Sequence, residues 1–154
     1  MLTPSQILDI AALPTAFIHI VVPRAEVRTV MGPGLQELKA AVAAQGIDVT
    51  GPWFTHHRRM DGTTFDFEIS LPVASPVAPA GRVQPGEWPA MKVIRTVYSG
   101  PFEQLGAAWG EFIASTAAAG HRTADDLWER YLVGPEATPD PAGWRTELTR
   151  RLIG

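Results

Sequence analysis

The sequence predicts an α+β domain in which one strand–helix–strand–strand order occurs twice. The first observation is an internal repeat, because residues 27–30 (Val-Arg-Thr-Val) return as residues 94–97 (Ile-Arg-Thr-Val), 67 positions further on. A Gly-Pro pair follows each copy, at positions 32–33 and 100–101. The second observation is that β-rich alternating segments flank an amphipathic helical segment in each half. These observations together predict two βαββ repeats.

Each half is predicted to begin with a strand that leads into a helix. The strands are expected over residues 26–30 and 91–98, where β-branched residues alternate with polar ones. Each Gly-Pro pair is expected to begin a helix, because proline at the first helical position loses only an amide that has no intrahelical partner. Apolar residues at helical spacing follow in both halves and end near Gly46 and Gly120.

Two more strands are predicted after each helix. In the first half they cover residues 53–59 and 63–73 and flank Asp61-Gly62, a strong hairpin signal. In the second half they cover residues 126–133 and 144–152. We therefore expect one domain over residues 1–154, with repeats over about 16–73 and 90–153 and a proline-rich connector over about 74–89 that contains a short strand. Residues 1–14 are either a loose arm or an added strand.

Composition excludes several classes of protein. The 154 residues include 13 basic and 16 acidic ones, a net charge of −3, which argues against a nucleic-acid-binding module that relies on clustered cations. The absence of cysteine excludes disulfides, thiolate metal sites and cysteine nucleophiles. No signal peptide or membrane span is predicted, because the first apolar run is short and contains His19. We expect a soluble cytoplasmic protein.

Several segments in one order resemble a known family. In the second half they are residues 91–93 (Met-Lys-Val), 99–103 (Ser-Gly-Pro-Phe-Glu), 127–131 (Leu-Trp-Glu-Arg-Tyr) and 144–148 (Trp-Arg-Thr-Glu-Leu). In the first half they are the Gly-Pro at 51–52, the Asp-Gly at 61–62 and residues 65–68 (Phe-Asp-Phe-Glu). This pattern resembles the GyrI-like small-molecule-binding domain, also called the AraC-type effector-binding domain, over roughly residues 16–153.

The resemblance implies a fold and a class of ligand. The fold would be two βαββ repeats related by a pseudo-twofold axis, with an antiparallel sheet and two helices around a central groove. Members of this family bind bulky, often cationic aromatic compounds, some as the effector-binding part of transcription regulators and some as stand-alone proteins. Others inhibit gyrase or hydrolyse cyclopropane-bearing compounds. About 15 residues precede the first repeat, so a stand-alone multidrug-binding member is expected here.

Glu129 is the main candidate for the site. On a strand, Glu129 and Tyr131 share one face, while Trp128 and Arg130 point the other way. The resemblance implies that the glutamate of this pattern faces the ligand, where one carboxylate among aromatic rings would attract a delocalised cation. The alternative interpretation is a surface glutamate that pairs with Arg130 or another base.

Three further residues are predicted to line the ligand site. Trp53 and His57 share a strand face in the first half, and His57 stands where the family usually has tyrosine. Trp109 lies on the inner face of the second helix, where it is either a wall of the site or part of the core. A proline usual in the family is replaced by Arg151 in the last strand.

Other polar residues are assigned no chemistry. Glu68 and Glu147 hold equivalent late positions, which favours a shared structural role, such as accepting backbone amides near a helix start, over catalysis. His56 and His57 are adjacent and would face opposite sides of a strand, so no metal site is predicted. No cofactor is implied.

Three functions remain open from the sequence. The favoured one is binding of a lipophilic aromatic cation with Glu129 as its counter-ion. The second is a hydrolase in which Glu129 acts as general base. The third is a protein partner such as gyrase, and pairing into a homodimer through a sheet edge is also open.

Overall fold

The structure, a computed structural model, describes residues 1–60 and 63–153. The chain divides into two compact units. The first unit comprises residues 11–90, and the second comprises residues 1–10 together with the chain from residue 91 onward. In both units a strand leads through a short 3-10 turn into a helix, and two antiparallel strands follow. The α+β class and the repeated βαββ order are therefore confirmed.

The first unit packs one helix against one face of four antiparallel strands. These elements are β2 (Leu13–Pro23), α1 (Val27–Ala44), β3 (Phe54–Met60), β4 (Thr64–Pro72) and β5 (Gln84–Trp88), with the strands in the order β3-β4-β2-β5. Alternate residues of β2 and β4 face the helix, because strand side chains alternate between the two faces. Ile18 and Ile69 are fully buried there with Leu38 of α1.

The second unit repeats this arrangement with a different edge strand. Its elements are β1 (Gln6–Ile10), β6 (Met91–Ser99), α2 (Leu105–Ala118), β7 (Thr123–Val133) and β8 (Arg145–Leu152), with the strands in the order β1-β6-β8-β7. Leu127 and Leu148 form a core with Phe112 of α2. Strand β1 pairs antiparallel with β6, so of the two alternatives for the N-terminal residues the added strand is correct.

The start of α1 differs from the prediction. Residues 27–30, predicted as a strand, are the first residues of the helix, and Pro33 lies inside it. Pro33 and Thr29 are both exposed, so water can bond the Thr29 carbonyl that proline leaves without an amide partner. Val27 and Val30 pack against the core of the first unit. The helical spacing of Val27 and Val30 relative to Leu38 is the sequence pattern from which a helix beginning at Val27 could have been predicted.

The register of the predicted repeat is also wrong. An offset of 67 pairs the helical residues 27–30 with residues 94–97, which lie in β6. The two helices begin at Val27 and Leu105, so the equivalent elements are 78 positions apart. The second Gly-Pro pair fits its prediction better, because Pro101 immediately precedes the 3-10 turn that leads into α2. Origin of the two halves by duplication stays a prediction.

Two predictions about connecting segments have different outcomes. The connector contains β5, which pairs with β2 and confirms the short strand expected there. The Asp61-Gly62 hairpin turn lies outside the described residues. No helix in the described part of the chain has both the length and the apolar character needed to cross a membrane.

The contact of α1 with the strands gives a stability prediction. A Cβ added at Gly34 would lie 2.7 Å from Cδ1 of Ile69, whereas one added at Gly32 would meet nothing within 4 Å. Alanine at either position favours the helix, but at Gly34 it also overpacks a buried contact. The free energy of unfolding of Gly34→Ala is expected to lie about 1–3 kcal/mol below that of Gly32→Ala in urea denaturation. Equal stability of the two variants would show that α1 does not approach the strands this closely.

Candidate functional site

Strand β7 directs Glu129 toward the helix side of the second unit. Leu127 and Tyr131 share its face, and all three are buried. Glu129 is paired in register with Leu148 of β8, which belongs to the core under α2. The period-two alternation of the strand thus brings a carboxylate into an otherwise apolar surface.

Two neutral donors hold the Glu129 carboxylate. The indole Nε1 of Trp109 donates to Oε2 at 2.6 Å, and the hydroxyl of Tyr131 donates to Oε1 at 2.7 Å. Glu129 is only 9% exposed, so these bonds act where solvent screens little. A hydrogen bond to a charged group contributes about 1.5–3 kcal/mol. The two bonds therefore fix the orientation of the carboxylate and tie α2 to β7.

Three aromatic rings, those of Tyr131, Phe102 and Trp144, pack one against the next beside the Glu129 carboxylate. The ring of Phe102 meets that of Tyr131 edge-on, with centroids 6.2 Å apart, and packs at 4.8 Å against Trp144. Trp144 is itself held by a 2.9 Å bond from Nε1 to the carbonyl of Thr138. Phe102 and Trp144 are partly exposed. Neither was predicted as a site residue. Both nevertheless belong to segments that carried the family resemblance, Phe102 to residues 99–103 and Trp144 to residues 144–148.

Of the two alternatives for Trp109, the structure shows the place in the core, and its role as a wall of the ligand site stays a prediction. Its ring packs in the core of the second unit, with the Phe112 ring centroid 5.9 Å away. Its indole nitrogen nevertheless reaches Glu129. Helical spacing alone predicts the packing but carries no information about which side chain the indole nitrogen meets.

Arg130 does not neutralise Glu129, because it lies on the opposite face of β7. Its Nη2 donates to Oε2 of Glu147 at 2.9 Å, and Nε of Arg95 lies 3.3 Å from the other oxygen of that carboxylate. Burial lowers the pKa of Arg95 from its usual value, and the nearby Glu147 charge opposes that shift. The alternative in which Glu129 pairs with Arg130 is therefore wrong.

The predicted role of the two equivalent glutamates needs one correction. Glu147 binds arginines of neighbouring strands, and Glu68 lies 3.4 Å from Nδ1 of His56 and 3.8 Å from Nη1 of Arg58. Both carboxylates thus link side chains across strands, whereas acceptance of amides near a helix start was expected. The spacing of β-strands places such cross-strand partners within reach.

Trp53 and His57 belong to the first unit. His57 is buried, with its ring stacked on Phe67 at a centroid distance of 5.2 Å and Nε2 3.0 Å from the hydroxyl of Thr55. Trp53 packs against the core of that unit just before β3 begins. The structure thus brings Glu129, Tyr131 and Trp109 together in the second unit and places the other two predicted residues in the first. Residues 1–60 and 63–153 contain no group of three or more metal-binding side chains.

A sequence model of the GyrI-like small-molecule-binding domain matches residues 3–151. The chain belongs to this family. No curated protein matches it in sequence.

Solved structures show the GyrI-like fold in proteins of different description. The C-terminal domain of EcmrR is 19% identical and superposes with a TM-score of 0.86, covering 97% of each chain. In the EcmrR–DNA complex the TM-score is 0.82 at 19% identity, and this chain, 97% covered, spans 57% of the EcmrR chain. SAV2435 bound to tetraphenylphosphonium has a TM-score of 0.67 and 14% identity, over 99% of this chain and 95% of its own. A hydrolase from Listeria innocua has a TM-score of 0.69 and 13% identity, over 97% of this chain and 91% of its own.

The donors to Glu129 give a second stability prediction. Tyr131→Phe removes a bond to a carboxylate and is expected to lower the free energy of unfolding by about 1.5–3 kcal/mol. Tyr98→Phe is the matched control, because its hydroxyl donates to a neutral carbonyl, that of Pro101, at 2.9 Å. That change is expected to cost about 0.5–1.5 kcal/mol. Urea denaturation measures both.

A double-mutant cycle tests the origin of this difference. In a Glu129→Gln background the carboxylate charge is gone, so Tyr131→Phe should cost no more than Tyr98→Phe does. A Tyr131→Phe cost that is unchanged in this background would assign the effect to another contact of the hydroxyl and not to its bond with the charged Glu129.

Proposed function

We propose that the protein binds a lipophilic aromatic cation, with Glu129 as the counter-ion. The observation that carries this proposal is the buried carboxylate of Glu129 with aromatic rings around it. A delocalised cation cannot form good hydrogen bonds, so it gains from a fixed negative charge and from the faces of rings. Family membership supports a small-molecule ligand, and the tetraphenylphosphonium bound to SAV2435 is such a cation.

The partly exposed rings of Phe102 and Trp144 are proposed to receive the apolar body of the ligand. A cation above an aromatic face gains about 0.5–2 kcal/mol per contact. Phe102 reaches Tyr131, whose hydroxyl bonds Glu129, so the aromatic surface is continuous with the carboxylate. Trp53 and His57 stay candidates for additional ligand contacts, on the family resemblance alone.

The donors around Glu129 favour binding over hydrolysis. A general base needs a lone pair directed at a water and enough basicity to take a proton from it. Trp109 and Tyr131 instead donate to both carboxylate oxygens, which stabilises the ionised form as an acceptor. Such an arrangement suits a permanent negative charge better than one that accepts a proton during turnover. The hydrolase from Listeria innocua shares the fold alone.

Tetraphenylphosphonium is the probe for the proposed function. Binding by the wild-type protein should be saturable and should quench tryptophan fluorescence, since Trp109 and Trp144 lie at the site. Glu129→Gln keeps the shape of the side chain and removes its charge, so we expect affinity to fall at least tenfold, about 1.4 kcal/mol. Glu111→Gln, an exposed change on α2, is the matched control and should alter affinity less than twofold.

The outcome separates the proposed functions. Equal affinities of Glu129→Gln and the wild type would refute the counter-ion role. Absence of any saturable binding by the folded wild type would refute the cation site and favour a macromolecular partner.

A further inference from the structure

A cavity of about 650 Å³ lies in the first unit at the start of α1. None of its described lining residues is one of the side chains that hold Glu129. Its lining includes the apolar residues Pro23, Val27 and Phe65 and the two cations Arg24 and Arg28. Cavities of about 300–1,000 Å³ are typical of small-molecule sites. Size and lining therefore suit a ligand with both an apolar and a charged part.

The charged side chains in the described lining of this cavity are both cations. Arg24 and Arg28 are four residues apart across the helical start, a spacing that places side chains on the same side. Within residues 1–60 and 63–153 neither guanidinium forms an ion pair with an acidic side chain, in contrast to Arg82, which binds Glu37, and Arg130, which binds Glu147. None of the described residues that line the cavity is acidic, although Glu26 lies between the two arginines in sequence. The guanidiniums therefore keep donors for an anion.

In the second unit, aromatic side chains stand at the positions that correspond to Arg24 and Thr63 of this lining. In the first unit the amide of Arg24 donates to the carbonyl of Thr63, which precedes β4, at 2.9 Å. In the second unit the amide of Gly100 donates to the carbonyl of Trp144, which precedes β8, at 3.0 Å. Thr63 and Trp144 are counterparts because each directly precedes the second strand after its helix, β4 in one unit and β8 in the other. Phe102 begins the 3-10 turn of the second unit as Arg24 begins that of the first.

The side chains at these counterpart positions differ, because they are aromatic in the second unit and charged or polar in the first. Phe102 and Trp144 stack on each other in the second unit, next to the negatively charged Glu129 site. In the first unit an arginine and a threonine stand in their places, and a cavity is present there. Phe65 provides the aromatic wall on this side, with its ring 5.9 Å from that of His57.

We propose that the cavity beside Arg24 and Arg28 is a second ligand site, which takes an aromatic anion such as a carboxylate or sulfonate on a flat ring system. The two guanidiniums bind the anionic group with charge-assisted hydrogen bonds, and Phe65 with its apolar neighbours packs against the rings. The site is independent of the proposed cation site, because it shares none of the residues that hold Glu129.

The test uses the full chain and the fluorescent anion 1-anilinonaphthalene-8-sulfonate, with N-phenyl-1-naphthylamine as its uncharged analogue. The wild-type protein should bind the sulfonate saturably and at least tenfold more tightly than the analogue. Arg24→Gln combined with Arg28→Gln should weaken the sulfonate at least tenfold. Lys39→Gln removes an exposed cation from the same helix outside the cavity and is the matched control, with a change below twofold.

Further controls keep the two sites distinguishable. Glu129→Gln should leave sulfonate binding within twofold, whatever it does to tetraphenylphosphonium. Thermal melting shows whether the arginine variants fold, and both side chains are exposed. Sulfonate affinity that is unchanged in the folded double variant, equal affinity for the uncharged analogue, or no saturable binding by the wild type would each overturn the proposal.

Discussion

The bonds from Trp109 and Tyr131 to Glu129 are the constraint on which the second unit and its candidate site both depend. A buried carboxylate without donors would cost several kcal/mol, and these two donors offset part of the cost of placing Glu129 in the apolar surface under α2. The indole comes from the helix and the phenol from the strand. The same contacts therefore set the distance of α2 from β7 and the orientation of the negative charge.

Strand alternation separates this charge from the cations nearest to it in sequence. Arg130 follows Glu129 directly, yet it bonds Glu147 on the other face, where Arg95 is the second partner of that carboxylate. The alternation of the strand therefore sends two charges that are neighbours in sequence to opposite faces of β7.

The parts of this arrangement that depend on strand period were predictable from the sequence. Alternation alone placed Glu129 and Tyr131 on one face and Arg130 on the other, since that property is local. The start of α1 was not predicted, because Gly32-Pro33 satisfies a common pattern for helix starts while the buried apolar spacing begins at Val27. The offset of 67 came from the similarity of residues 27–30 to residues 94–97, and it pairs helix with strand.

Contacts that join distant segments needed the structure. The bond from Trp109 to Glu129 depends on where α2 rests on the strands, and the stacking of Phe102 on Trp144 joins residues 42 positions apart, from 102 to 144. Neither has a periodic signal, because both arise from tertiary packing. The resemblance to the GyrI-like family singled out Glu129 as a candidate, but it gave no indication of which aromatic rings pack next to it.

The contrast between the two units follows from what the fold constrains. Each unit has a backbone bond to the residue before the second strand after its helix, from Arg24 at the first residue of the 3-10 turn to Thr63 in one unit and from Gly100, two residues before the turn, to Trp144 in the other. A backbone bond of this kind leaves the side chains at these places free to differ. In one unit they became stacked rings next to a buried acid, and in the other they became a cation beside an open cavity. One βαββ order can therefore carry two sites of opposite charge, because the interactions that form the fold are not those that would select a ligand.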